Sequence, residues 1–128
     1  MIRINPKDSQ PIYEQIVEQF KFLVLQKFLN PGDPIPSVRR LALELNITPG
    51  TVAKAYQEME RLGLIETLRG KGTFIAESQS LGPTKEDIHL VEGRLRKPLM
   101  ELCYMGLDKK KIVLIVEQLV DTICKEGK

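Results

Sequence analysis

The chain has 128 residues, 42% hydrophobic and 28% charged, with 19 basic against 17 acidic side chains for a net charge of +2. That length admits one ordinary domain with a short appended element and excludes two large ones. The 9 Gly and 8 Pro gather at apparent joints, which excludes a low-complexity or disordered chain.

The segment Met1 to Asp8 lacks the apolar core of a signal peptide, and no run approaches the roughly 18 apolar residues of a membrane span. The expected location is cytoplasmic, with no membrane partner. A first helix is predicted over about 10–28, capped by Ser9, with Pro11 in its first turn, where a missing N–H loses no helical bond. Ile12, Ile16, Phe20 and Leu23, flanked by Tyr13, Val17 and Val24, form its apolar face, and Asn30-Pro31-Gly32-Asp33-Pro34 ends it.

Ser37 caps a short second helix that turns Val38, Leu41, Ala42 and Leu45 inward and leaves through Asn46, a residue that tolerates left-handed backbone. Thr48 caps the third and Pro49 occupies its first position. Val52, Ala55, Tyr56, Met59 and Leu62 follow at helical spacing until Gly63 stops it. Two short helices joined by about three residues read as a helix-turn-helix. The period then changes to short strands at 64–68 and 73–76 around the tip Arg69-Gly70-Lys71-Gly72, a β-hairpin with a basic end.

These elements make residues 9–77 a winged helix-turn-helix domain, mainly α with a small β-hairpin. Residues 78–83, polar and holding Gly82-Pro83, read as a linker to a helical region at 84–128. There Thr84 caps a helix with Ile88, Val91, Leu95, Leu99 and Leu102 on one stripe, and Pro98 should kink it. Gly106 closes that helix, and Asp108 caps another bearing Ile112, Ile115, Val116, Leu119, Val120 and Ile123. Two amphipathic helices alone bury too little to be stable, so these stripes are expected to form a homodimer interface.

Enzyme chemistry has no foothold. The one histidine, His89, sits on the outer face of its helix, away from any Ser or Cys and carboxylate that could complete a nucleophilic site. Gly70-Lys71-Gly72 lacks P-loop spacing and no helix follows it. Cys103 and Cys124 match no metal or redox spacing and read as small hydrophobes, so neither metal nor cofactor is expected. Tyr13, Tyr56 and Tyr104 fall on or beside apolar stripes and are expected to pack, with the Tyr56 hydroxyl within possible reach of a phosphate. The run Lys109-Lys110-Lys111 reads as a solvated face.

Nucleic-acid chemistry fits better. A recognition helix pushes its N-terminus into the major groove, where small residues permit close approach and hydroxyls reach bases or phosphates. Thr48, Pro49, Gly50 and Thr51, with Lys54 a turn later, have that character. Capping alone would account for Thr48 and Pro49, but not for the cationic wing. Arg39 and Arg40 follow the Ser37 cap at a helix N-terminus, where cations oppose the dipole and a phosphate would relieve them. Arg69 and Lys71 project from the wing.

Pro11-Ile12-Tyr13-Glu14-Gln15-Ile16, Pro31-Gly32-Asp33-Pro34-Ile35-Pro36-Ser37-Val38-Arg39, Thr51-Val52, and Gly63-Leu64-Ile65 through Arg69-Gly70-Lys71-Gly72-Thr73-Phe74-Ile75 together resemble the GntR family of bacterial regulators. The resemblance implies a winged helix-turn-helix whose third helix enters the major groove of double-stranded operator DNA, with Arg39 as a base or phosphate ligand and the wing glycine at Gly70 or Gly72. In the commonest family pattern an arginine follows the capping residue. Pro49 stands there instead, as in the YtrA-like branch, whose two short C-terminal helices around a joint like Met105-Gly106-Leu107 serve dimerisation.

The function implied is a homodimeric repressor on a palindromic operator, with a neighbouring transporter operon as the kind of target that branch controls. The larger ligand-binding domains of longer relatives have no room here, so no small-molecule effector is named. The competing reading is a winged-helix protein-interaction module without DNA binding, which would not require the cationic wing or Arg39.

Overall fold

The computed structural model describes residues 2–77 and 84–124. The chain divides into two compact units, Met1–Ser80 and Leu81–Lys128. The first holds α1 (Ile12–Leu25), β1 (Pro34–Ile35), α2 (Val38–Leu45), α3 (Pro49–Arg61), β2 (Ile65–Leu68) and β3 (Gly72–Ile75); the second holds α4 (Lys85–Tyr104) and α5 (Lys109–Ile123). The linker expected at 78–83 lies outside the described residues.

In the first unit α1 and α2 both pack on α3, and the core they enclose centres on Ile16, Phe20, Leu41, Val52 and Met59. The helix expected over 10–28 is shorter at both ends. Pro11 stands outside it as the N-cap, with extended backbone at ψ 149°, and the Ser9 hydroxyl does not cap. Its exit is a left-handed residue, Lys27 at φ +68°, and the Phe28 N–H returns to the Leu23 carbonyl at 2.9 Å in the bond that satisfies a helix end. Asn46 does the same for α2 at φ +58° and Gly63 for α3 at φ +77°.

A segment with no structural expectation from the sequence, residues 2–8, precedes α1 and is tied to it. The Gln15 side chain accepts the Asn5 N–H at 2.8 Å and donates to the Asn5 carbonyl at 3.0 Å. One turn on, Gln19 makes the same two bonds with Arg3. Glutamines four apart on a helix thus clip alternate residues of the segment before it, and Ile2 enters the core at its end.

The sheet has three strands in the order β1-β3-β2, all antiparallel. The hairpin is as expected, with Leu68 opposite Gly72 around a tip of Arg69, Gly70 and Lys71. The third strand, β1, had no signal in the sequence. It pairs Pro34 with Phe74 and Ile35 with Thr73, so the chain leaving it toward Ser37 runs beside β3 in the direction of the wing tip.

In the second unit, α4 opens with a full capping box between Thr84 and Asp87, and Asp108 accepts the Lys111 N–H at 3.0 Å to open α5. Pro98 lies inside α4 without ending it. Neither helix has a buried residue. Leu99, Leu102, Ile112 and Ile115 of the expected interface are half-buried around the Gly106 turn, together with Leu107, whereas Ile88, Val91, Leu95, Val116, Leu119 and Ile123 are exposed. Val113, Leu114 and Val120 widen the exposed apolar face of α5. Tyr104, expected to pack, is 95% exposed.

Candidate nucleic-acid interface

The exposed start of α3 is built from a cap that does not close on itself. Thr48 is the N-cap residue, but its hydroxyl makes no cap bond to the backbone. Its Oγ1 instead lies 3.1 Å from the Thr51 hydroxyl. That corrects the expected side-chain cap: a hydroxyl one turn on competes successfully for the Thr48 oxygen. Pro49 at the first helical position has no N–H, and among the described residues the Gly50 N–H meets no acceptor. A Cβ built on Gly50 would find no atom within 4 Å, so its smallness serves no packing inside this chain.

Beside this turn runs a shallow open groove. The start of α1, through Pro11, Ile12 and Tyr13, forms one wall, and Thr48, Gly50, Thr51 and Lys54 form the other. The Lys54 ammonium lies over the Tyr13 ring, 4.3 Å from its centroid. Partial burial and the Glu14 carboxylate push the Tyr13 phenol above its ordinary range. The Tyr56 hydroxyl, considered for a phosphate, is turned inward and donates to the Pro36 carbonyl at 2.6 Å. Pro36 lies one residue before the Ser37 cap, whose Oγ accepts the Arg40 N–H at 3.1 Å.

The basic residues fall into two groups. Arg40 pairs with Glu44 at 3.3 Å, and Arg61 grips both oxygens of Glu58 at 3.1 and 2.5 Å, which holds the Glu58 carboxyl below its usual range. Arg39, Lys54, Arg69 and Lys71 have no carboxylate at ion-pair distance among the described residues. These four sit at the start of α2, on the groove beside α3 and at the wing tip; Arg3, Lys7, Lys21 and Lys27, elsewhere in the same unit, are also without an ion pair among the described residues. Gly70 and Gly72 hold that tip in left-handed backbone, φ +77° and +122°, and all the tip residues are exposed. Sequence spacing contained this sorting, since 40/44 and 58/61 are helical neighbours. The Tyr13–Lys54 contact joins two helices and had no sequence signal.

Residues 12–75 match the family described as bacterial regulatory proteins, gntR family. The chain belongs to that family. It is 43% identical over 112 residues to the HTH-type transcriptional repressor YtrA of Bacillus subtilis (strain 168), covering 88% of this chain and 86% of that protein. A solved structure titled as a transcriptional antiterminator from Listeria monocytogenes EGD-e superposes with TM-score 0.86 at 35% identity, over 100% of this chain and 96% of the other. The DNA-binding domain of AraR in complex with operator ORX1 superposes with TM-score 0.51 at 27% identity, over 57% of this chain and 90% of that one.

This member of the gntR family is therefore a winged helix-turn-helix, DNA-binding transcriptional regulator of a non-enzymatic family, similar to YtrA. Among the described residues no helix is long and apolar enough to cross a membrane. The lone histidine, His89, is solvent-exposed beside Glu92 at 3.5 Å.

Proposed function

We propose that the protein is a cytoplasmic homodimeric repressor that binds a palindromic operator, with the start of α3 in the major groove and the wing on the backbone or minor groove. The observation that carries this reading is the placement of four unpaired cations, Arg39, Lys54, Arg69 and Lys71, on the helix-turn-helix and the wing tip, while the other basic side chains of α2 and α3 are neutralised. Unneutralised cations release counterions when they meet phosphate, and that gain is the main source of DNA affinity. Thr48, Pro49, Gly50 and Thr51 present small groups and a free N–H for close approach to the bases. Ser37, Gly70 and Gly72 shape the backbone that presents Arg39, Arg69 and Lys71. Arg40 joins them only by exchanging Glu44 for a phosphate, a small cost for so exposed a pair.

The exposed stripes of α4 and α5 support dimerisation, since a second copy would cover Ile88, Val91, Leu95, Val116, Leu119 and Ile123. Two copies on a palindrome would read half-sites roughly 34–36 Å apart. The regulated process we assign, following the YtrA-like pattern, is expression of a neighbouring transporter operon.

The test is a titration, at several salt concentrations, of the full chain against a duplex that the wild-type protein selects from a random pool. Arg39→Ala, Arg69→Ala and Lys71→Ala should each weaken binding and flatten the salt slope by about one unit. Circular dichroism should report an intact fold. Unchanged binding in all three variants would overturn the proposed wing and helix-two contacts, and a wild-type protein that selects no duplex from the pool would favour the protein-interaction reading.

A further inference from the structure

We propose that Tyr13 is a positioning residue for DNA recognition: its ring holds the Lys54 ammonium un-neutralised at the groove beside the start of α3, an inference that rests on the operator-binding reading. Lys54 Nζ lies 4.3 Å from the ring centroid, well within the range at which a cation is drawn to an aromatic face. A lysine on a bare helix surface would instead be drawn to the carboxylate four residues on, which here is Glu58. Both Glu58 oxygens are engaged by Arg61, at 3.1 and 2.5 Å. Glu14, the acid next to Tyr13, accepts the phenolic O–H at 3.2 Å and so sits at the hydroxyl end of the ring, away from its face.

The consequence lies in what a phosphate must displace. A lysine paired with a carboxylate has to break that pair before it can bind DNA, whereas one resting on a neutral ring carries its full charge to the encounter. A flexible four-carbon stem also loses conformational freedom when it binds, and the ring removes part of that loss beforehand. The holder is itself fixed, because Tyr13 is half-buried where α1 packs on α3. This gives the start of α1 a recognition role through Lys54, without requiring that α1 touch DNA.

The experiment uses the full-length protein and the wild-type-selected duplex. In the free protein, proton NMR should find the Lys54 side-chain methylenes shifted upfield by the ring in wild type and Tyr13→Phe, and unshifted in Tyr13→Leu. Operator affinity should fall about two- to fivefold in Tyr13→Leu and hold in Tyr13→Phe, and Tyr13→Leu should add nothing in a Lys54→Met background. A fluorinated phenylalanine at position 13 keeps the packing and drains the ring face, so it should reproduce the loss even if Tyr13→Leu melts early. Lys54→Met binding as tightly as wild type would overturn the placement of Lys54 on DNA and the inference with it. Lys54→Met binding weakly while the fluorinated variant binds normally would overturn the positioning role alone. A Tyr13→Leu loss undiminished in Lys54→Met would do so as well.

Discussion

The Tyr56 hydroxyl donates to the Pro36 carbonyl oxygen at 2.6 Å, tying the middle of α3 to the residue before the cap of α2. Tyr56 is 6% exposed, and burial pushes its phenol far above the ordinary range of about 10. Tyr56→Phe leaves that carbonyl without its donor and should cost about 1–3 kcal/mol, read as a lower urea midpoint at unchanged slope. The sign with pH follows from the raised value. The folded protein holds the phenolic proton more tightly, so the contribution is complete below the ordinary phenol range and is lost as pH rises through the raised one. The stability gap between wild type and Tyr56→Phe should therefore narrow only in strong alkali.

Gly50 and Gly63 should respond oppositely to a side chain. Gly50→Leu meets open space in a helical turn, so melting temperature should hold or rise, while operator binding falls because the close approach is obstructed. Gly63→Ala also meets open space but forces a Cβ onto backbone at φ +77°, which should cost on the order of 1–2 kcal/mol with no direct effect on DNA contact. Parallel melting and mobility-shift curves separate the two; a Gly50→Leu protein that loses stability together with binding would remove Gly50 from the interface.

Gln15→Leu should release the N-terminal segment. The amide makes three bonds, to the Asn5 N–H, the Asn5 carbonyl and the Gln10 carbonyl, and none survives the change. The expected result is faster proteolysis within residues 3–8 and a loss of roughly 2–3 kcal/mol, since part-buried backbone groups lose their partner. Limited digestion with mass mapping of the first cut is the measurement.

Leu95→Glu and Val116→Glu place charges on exposed positions of α4 and α5, 54% and 38% accessible in the single chain. If these faces pair between copies, each variant should sediment as a monomer at concentrations where wild type is a dimer, and operator affinity should fall with assembly. Dimers of undiminished stability would move the interface elsewhere.

What the sequence disclosed was local. Ser37, Asn46, Pro49, Gly63, Thr84, Gly106 and Asp108 each fix a helix end by chemistry reaching a few residues, and each stands where its type suggests. The misses needed reach. β1 is two residues long and exists only because β3, some forty positions later, offers it partners. Arg3 and Asn5 are held by glutamines 16 and 10 positions away, a spacing that no local pattern encodes. Lys27 at φ +68° ended α1 early, and nothing about a lysine advertises left-handed backbone. In the candidate interface the residue types were legible. The division into paired and unpaired cations required the helical offsets 40/44 and 58/61 to be read as pairs, and the ring beneath Lys54 required the packing of α1 on α3.

The order β1-β3-β2 also bears on how the molecule behaves when crowded. A wing made of β2 and β3 alone would offer an open β-strand on each side, and open strands recruit one another into aggregates. Here β3 is enclosed, and the strand covering it is short and begins with Pro34, which has no N–H to offer an incoming chain. The remaining open flank is four residues of β2 with Glu66 at its second position, too brief and too charged for stable growth by strand addition. A DNA-binding protein can thus keep its wing exposed without offering it to its own copies for strand addition.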